Sequence, residues 1–220
     1  MQLSVPPESP PESRRDWVVR QIRGRIAAGD LVAGDRLVER DLSAAYNLSR
    51  GPVREAIMVL EHEGLVQTQP YRGAVVVGIE QAEITEILVP IRLVIERAAF
   101  RAVLRSRPDG LLDKLEGIVA RMEQAARIPV NFDALVDLDV EFHESVIAAA
   151  GSAQSLQIWR TIQPRVRAYF LRDASGHTSP QDVVDQHRLL LDVLHEGRPE
   201  RMDIAVENHV QLFLDADQHA

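Results

Sequence analysis

The chain has 220 residues, 45% of them hydrophobic and 26% charged, and a formal net charge of −8. That length suits one small and one larger domain, each with its own core. The absence of cysteine excludes disulfides, thiolate metal sites and a cysteine nucleophile, and no apolar run is long enough to span a bilayer.

The opening MQLSVPPESPPESRR has no apolar centre of the kind a signal peptide needs, so the expected location is a bacterial-type cytoplasm. Residues 1–13, rich in proline and serine, are expected to form a disordered tail. Ser13-x-x-Asp16 resembles a capping box that opens a helix in which Val18 or Val19, Ile22 and Ile26 share a face. Asp41 to Tyr46 reads as a short helix with Leu42 and Ala45 inward, and Tyr46 to Ser49 as the turn after it. Ser49 is a good N-cap for the next helix, and Pro52 falls in its first turn, where a missing N–H costs nothing. Val53, Ala56, Ile57 and Leu60 recur at helical spacing, and Gly64 is placed to end the helix. Arg50 and Arg54, four apart, project together near its N-terminus, as a reader of the DNA major groove requires. Leu65 to Gln69 and Ala74 to Val77 read as a β-hairpin with Arg72 at its tip. Helix, helix-turn-helix and β-wing together describe a winged helix over residues 14–78.

The string running from Ile26-Ala-Ala-Gly through Ala33-Gly34-Asp35-Arg36-Leu37 and Glu39-Arg40-Asp41-Leu42 to Ser49–Ala56 and Leu60-Glu-His-Glu-Gly-Leu-Val closely resembles the DNA-binding domain of the GntR family. The resemblance implies that Arg36, Arg40, Arg50 and Arg54 face the operator. It also implies that Arg72 and Gly73 of the wing approach the minor groove, with Ser49 and Gly51 at the same surface. Gly51 stands where the family often has threonine, which removes one hydroxyl–phosphate contact. Val38 replaces a polar cap of the second helix, at a cost of about 1 kcal/mol.

Charge divides by segment. Residues 14–78 carry 10 Arg against 8 acidic residues, whereas residues 79–220 carry 15 basic against 23 acidic. An acidic second domain repels DNA, so nonspecific binding is expected to be weak and strongly salt-dependent.

After a linker at 79–83, residues 84–220 read as an all-helical bundle. Apolar residues recur at three and four from Ile84 to Val103, with Pro90 expected to kink or split the pattern. Five further helices follow: Leu111 to Met122, an Asn131-capped helix to Gly151, Leu156 to Phe170 with Pro164 as a kink, Ser179 to Gly197, and one starting at Pro199. The fold class is therefore mainly α: a winged helix-turn-helix with a small β-hairpin, then a helical bundle. Asp139 and His143 stand four apart on one helix, while His187 and His209 lie on two others. One carboxylate and three imidazoles could hold a divalent transition metal, although spacing alone also suits ordinary solvated or hydrogen-bonded histidines.

Leu138–Ser152 and Gln186–Val210 resemble the FCD ligand-binding domain of the FadR subfamily, in its shorter six-helix, metal-binding branch. In those members the ligands match Asp139, His143, His187 and His209. The resemblance also places Arg92 at the pocket as an effector-binding cation; read by itself, Arg92 is equally an exposed partner of Glu96. Arg160, Arg165 and Arg167 are lesser candidates for that role, and His62, His177, His195 and His219 match no ligand position. The expected cofactor is zinc, with nickel or manganese as alternatives.

The expectation is a non-enzymatic, homodimeric transcriptional regulator, a repressor by family habit. It would read a near-palindromic double-stranded operator and respond to a small carboxylate or hydroxy-acid effector bound at the metal. Two other readings stay open: a metal sensor in which the ion is itself the signal, and a metalloenzyme fused to a DNA-binding domain. No general base or nucleophile in these motifs supports the second.

Overall fold

The computed structural model describes residues 13–69, 73–78, 80–174 and 179–215. Most of the expected tail, the wing tip with Arg72, and His177 and His219 lie outside the described residues. In the head, α1 (Arg14–Ala27) opens as the capping signal requires: the Ser13 hydroxyl accepts the Asp16 N–H and donates to the Asp16 carboxylate. The helix-turn-helix is α2 (Glu39–Ala45) and α3 (Arg50–His62), joined by a turn in which Asn47 takes a left-handed conformation at φ 51°. Two bonds close α3, from Gly64 N–H to the Glu61 carbonyl and from Leu65 N–H to the Leu60 carbonyl. Gly64, at φ +70°, is the residue that permits this Schellman turn.

The wing departs from a simple hairpin. Arg36–Leu37 form β1, which pairs with β3 (Gly73–Val76), and β3 in turn pairs with β2 (Val66–Gln69), all antiparallel in the order β1-β3-β2. Two residues carry no alternation to read, so β1 has no signature of its own. It exists because Arg36 opposite Val75 and Leu37 opposite Ala74 complete the ladder of β3. Val18, Ile22, Val53, Leu60 and Val66 close the head's core beneath this sheet.

The second unit is helical throughout its described residues. A short turn α4 (Gln81–Glu83) runs into a π-helical stretch, Ile84–Leu88, and on into α5 (Val89–Ser106). Pro90 therefore neither kinks nor divides a single α-helix; it sits in the first turn of α5, and the widened π turn precedes it. There follow α6 (Leu111–Ala125), α7 (Phe132–Ala149), α8 (Ala153–Ala174), α9 (Pro180–Glu196) and α10 (Pro199–Asp215). Asn131 caps α7 through the Ala134 N–H, and α8 runs on through Pro164 as one helix. Helix α7 touches α5, α6 and α8 and is buried on most of its circumference, while α9 and α10 pack beside α6 and α5. A residue on the inner face of α7 thus faces several helices at once, which is how a cluster of side chains from distant segments is assembled. No helix among the described residues is long and apolar enough to cross a membrane.

Phe142 is fully buried on α7 and packs edge-on against the rings of His143 and His187. Phe142→Ala should lower stability by about 3–5 kcal/mol, measured by urea unfolding at constant m-value.

Candidate metal centre and nucleic-acid interface

The four residues singled out on α7, α9 and α10 meet in the core of the helical domain. One ligand atom each from Asp139, His143, His187 and His209 lies within 4.8 Å of the others, and all four residues are buried. Every imidazole turns its Nδ1 outward toward an oxygen. His187 Nδ1 is 2.7 Å from the Val183 carbonyl, which fixes a proton there because a carbonyl only accepts. His209 Nδ1 lies 3.1 Å from Gln186 Oε1, and His143 Nδ1 lies 2.8 Å from the Glu96 carboxylate. All three rings thus turn Nε2 toward the centre. There, His143 Nε2 and His209 Nε2 share a hydrogen bond of 2.8 Å, in which one ring donates and the other accepts, and His187 Nε2 comes within 3.2 Å of Asp139 Oδ1. No hydrogen bond reaches either Asp139 oxygen or His187 Nε2.

Electrostatics set the charge of two of these groups, His209 and Asp139. Burial pushes the pKa of His209 well below the ordinary histidine value, and His187, His143 and Arg92 push the same way, so the ring is neutral. Burial alone would raise the Asp139 carboxyl, but His187, His143 and Arg92 outweigh it and hold it below the usual carboxylate value. A neutral His209, an ionised Asp139 and two further imidazoles, each ring with an outer polar neighbour, make a donor set compatible with a divalent transition metal. Nitrogen and oxygen donors of this kind do not separate zinc from nickel or manganese.

Arg92 is paired with Glu96 but is not exposed. Both side chains are fully buried, which overturns the surface-pair reading while keeping the pair. Its Nε donates to Glu96 at 2.7 Å and its Nη1 to the Tyr169 hydroxyl at 2.7 Å, while Nη2 has no partner. The guanidinium also lies over the rings of Phe170 at 5.0 Å and Trp159 at 5.9 Å. Burial opposes its charge, but Glu96 prevails and the group stays cationic. The Tyr169 hydroxyl, desolvated beside it, is pushed up to about 12 and remains protonated. Arg92, Glu96 and His143 thus form a continuous chain from a cation with one open N–H face to a metal-ligand candidate. The three lesser arginines of α8 are occupied elsewhere: Arg160 with Glu144, Arg167 with Asp133 and Asp137, and Arg165 with Glu83.

Sequence reasoning missed Glu96, Trp159 and Tyr169 as members of this site. Glu96 did leave a signal, since it lies beside Ile95 and four residues after Arg92, within the buried stripe that continues to Ala99 and Phe100.

On the head, Arg36, Arg40, Ser49, Arg50, Gly51, Arg54 and Gly73 are all exposed. Arg54 is held by a two-pronged contact to Glu39 at 3.2 Å, and Arg40 by Asp41 at 3.0 Å. Ser49 occupies the N-cap position of α3 by backbone conformation, but its hydroxyl makes no cap hydrogen bond. It is uncommitted at the basic end of the helix. Gly73 enters β3 at φ +75°.

A winged-helix head joined to a helical domain with a buried donor cluster defines a DNA-binding regulator with a sensory half. Residues 15–76 match the family described as bacterial regulatory proteins of the gntR family, and residues 87–212 match the FCD domain. The chain belongs to the GntR family of transcriptional regulators and carries an FCD domain. It is 30% identical to the gluconate operon transcriptional repressor of Bacillus licheniformis, over 79% of this chain and 72% of that one. It is 29% identical to the probable D-xylose utilization operon transcriptional repressor of Paenarthrobacter nicotinovorans, over 94% of this chain and 88% of that one. The fold superposes on that of Escherichia coli McbR/YncC with a TM-score of 0.72 at 17% identity, covering 96% of this chain and 100% of that one.

Replacing Glu96 by Gln should weaken zinc binding roughly 10- to 100-fold, because the outer partner of His143 loses its charge. Competition against a chelating indicator measures this, and unchanged affinity would deny Glu96 the role.

Proposed function

We propose that the protein is a homodimeric repressor that binds a near-palindromic double-stranded operator and is controlled by a small organic acid bound at the metal centre. The observation that carries the control reading is the convergence of three imidazole Nε2 atoms on Asp139, with His187 Nε2 and both Asp139 oxygens unpartnered, beside Arg92, whose open Nη2 is buried with them. Asp139, His143, His187 and His209 would hold a zinc, nickel or manganese ion. Such an ion, when bound, supplies open coordination positions to a carboxylate or hydroxyl oxygen. Arg92 offers a charged N–H donor to the opposite end of the same molecule, which selects an anion with two oxygen-bearing ends. The named operon of the Bacillus licheniformis relative concerns gluconate, a hydroxy acid of that description.

The DNA side rests on the head. Arg50 and Arg54 stand on the exposed N-terminal half of α3, where a docked helix meets base edges. Arg36 and Arg40 flank it, Ser49 and Gly51 offer a hydroxyl and a bare backbone to phosphate, and Arg72 with Gly73 of the wing faces the minor groove. Two heads related by a twofold axis would read two half-sites. The domain assignment proposed is a head over 14–78, a linker over 79–83 and an effector-binding and dimerisation domain over 84–220. An effector shifts operator affinity only by as much as it prefers one arrangement of the two heads over another.

Arg50→Ala and Arg54→Ala should each weaken operator binding by about 1–3 kcal/mol, with the larger loss on specific rather than random DNA. Quantitative footprinting against a scrambled control reads this, and retained footprints in both variants would remove the groove assignment.

For the control site, elemental analysis should find about one divalent transition-metal ion per chain. Operator affinity of the zinc-loaded protein should change about 5- to 150-fold on adding gluconate or another hydroxy acid, and stripping the ion with EDTA should abolish the response. Metal-free protein from every preparation would end the metal reading. Affinity that tracks zinc alone and ignores all organic acids would replace the effector by the ion itself.

A further inference from the structure

Arg165 joins the two halves of the molecule. It stands on α8 one turn before Tyr169, on the helix that also places Trp159 and Phe170 against Arg92. Its guanidinium points the other way, into the head. Nη1 donates to the Gly64 carbonyl at 2.6 Å, at the end of α3, and Nη2 donates to the Gly78 carbonyl at 3.2 Å, just beyond the wing. Nε donates to Glu83 Oε1 at 2.9 Å, in the segment that connects head to bundle, and Nη2 also contacts Glu83 Oε2. The side chain is 12% exposed. The arginine stem passes 3.4 Å from the point where a Cβ on Gly64 would stand, so the glycine that ends the helix also leaves space for the clamp. Ala168, one turn further along α8, packs against the head's core, and α1 lies along α8.

The chemistry of this contact is specific to arginine. A planar guanidinium offers five N–H donors in fixed directions, so one group can serve two carbonyls and a carboxylate together. One of those carbonyls belongs to the C-terminal end of α3, where the helix dipole favours a cation. Pro164 immediately precedes Arg165 and has no N–H to give to the Arg160 carbonyl, so α8 lacks one rung at the clamp.

We propose that Arg165 is the positioning residue that fixes the recognition helix and wing relative to the helical domain, and that α8 carries changes at the Arg92 site to it. The second clause rests on the reading of the metal site given above; the first does not. Displacement of Trp159 or Tyr169 by an occupant of that site moves the helix that bears Arg165. The head follows because Gly64, Gly78 and Glu83 all hang on one side chain.

The test uses distance measurement in the full-length chain. Because the protein has no cysteine, Met58→Cys on α3 and Leu189→Cys on α9, at positions 62% and 45% exposed, give two unique spin-label sites. Electron–electron resonance on labelled chains diluted with unlabelled protein reads the head-to-bundle distance. The background protein should give one narrow distribution whose mean moves when zinc is added to EDTA-stripped protein. Arg165→Gln and Arg165→Lys should broaden it and remove the zinc shift, and Glu83→Gln should broaden it less. Arg160→Gln, whose partner Glu144 lies within the bundle, should change nothing. Zinc affinity and helical circular dichroism, measured alongside, should stay at the starting value in Arg165→Gln and show that the fold and the cluster are intact. An Arg165→Gln distribution as narrow as the starting one would overturn the clamp. A starting distribution that ignores zinc while Arg165→Gln still broadens would keep the clamp and defeat the metal-linked transmission.

Discussion

Polar atoms in a dry interior need partners, and the helical domain is arranged around a meeting where several have none. Three imidazoles turn Nδ1 outward toward Val183, Gln186 and Glu96, so their Nε2 atoms turn toward one another and toward an ionised Asp139 whose oxygens accept no hydrogen bond. In water the arrangement would be harmless; at zero to a few per cent exposure it leaves several polar atoms without compensation, each at a cost of about 1–3 kcal/mol. Nothing in the packing of Phe142, Trp159 or Met202 demands it, since apolar residues of like size would fill the same volume more cheaply. A buried donor cluster that is unfavourable by itself is the kind of arrangement in which stability gives way to function.

The outer partners show how far the constraint extends. Glu96 is shared between His143 and Arg92, so the orientation of a ligand ring and that of the buried guanidinium are set by one carboxylate. Arg92 in turn holds the Tyr169 hydroxyl, and Tyr169 belongs to α8. The cluster and α8 are therefore connected through four side chains, His143, Glu96, Arg92 and Tyr169.

Local patterns in the sequence were enough for most elements. Val53, Ala56, Ile57 and Leu60 define α3, Gly64 ends it, and Asn131 and Ser179 cap two bundle helices as their residue types demand. The i, i+4 spacing of Asp139 and His143 placed both on one face of α7. What could not be read are the consequences of packing between distant segments. The pairing of Arg36–Leu37 with β3 depends on a ladder closed by residues near position 75. The burial of Arg92 depends on Tyr169, 77 positions away, and the clamp depends on Arg165 reaching Gly64 across 101. Pro90 shows the same limit on a smaller scale, since the choice between a kink and a π turn is made by how Ile84 and Leu88 pack, not by proline alone.

The uncommitted hydroxyl of Ser49 changes what binding means for α3. A reader helix that lacks its side-chain cap in the free protein has first-turn N–H groups open to solvent, in the geometry that favours a phosphate oxygen. A phosphate oxygen placed there would serve as the missing cap, worth about 1 kcal/mol to the helix itself. Affinity for any duplex would then include the ordering of the helix, independent of base sequence, and only the remainder would express discrimination among operators.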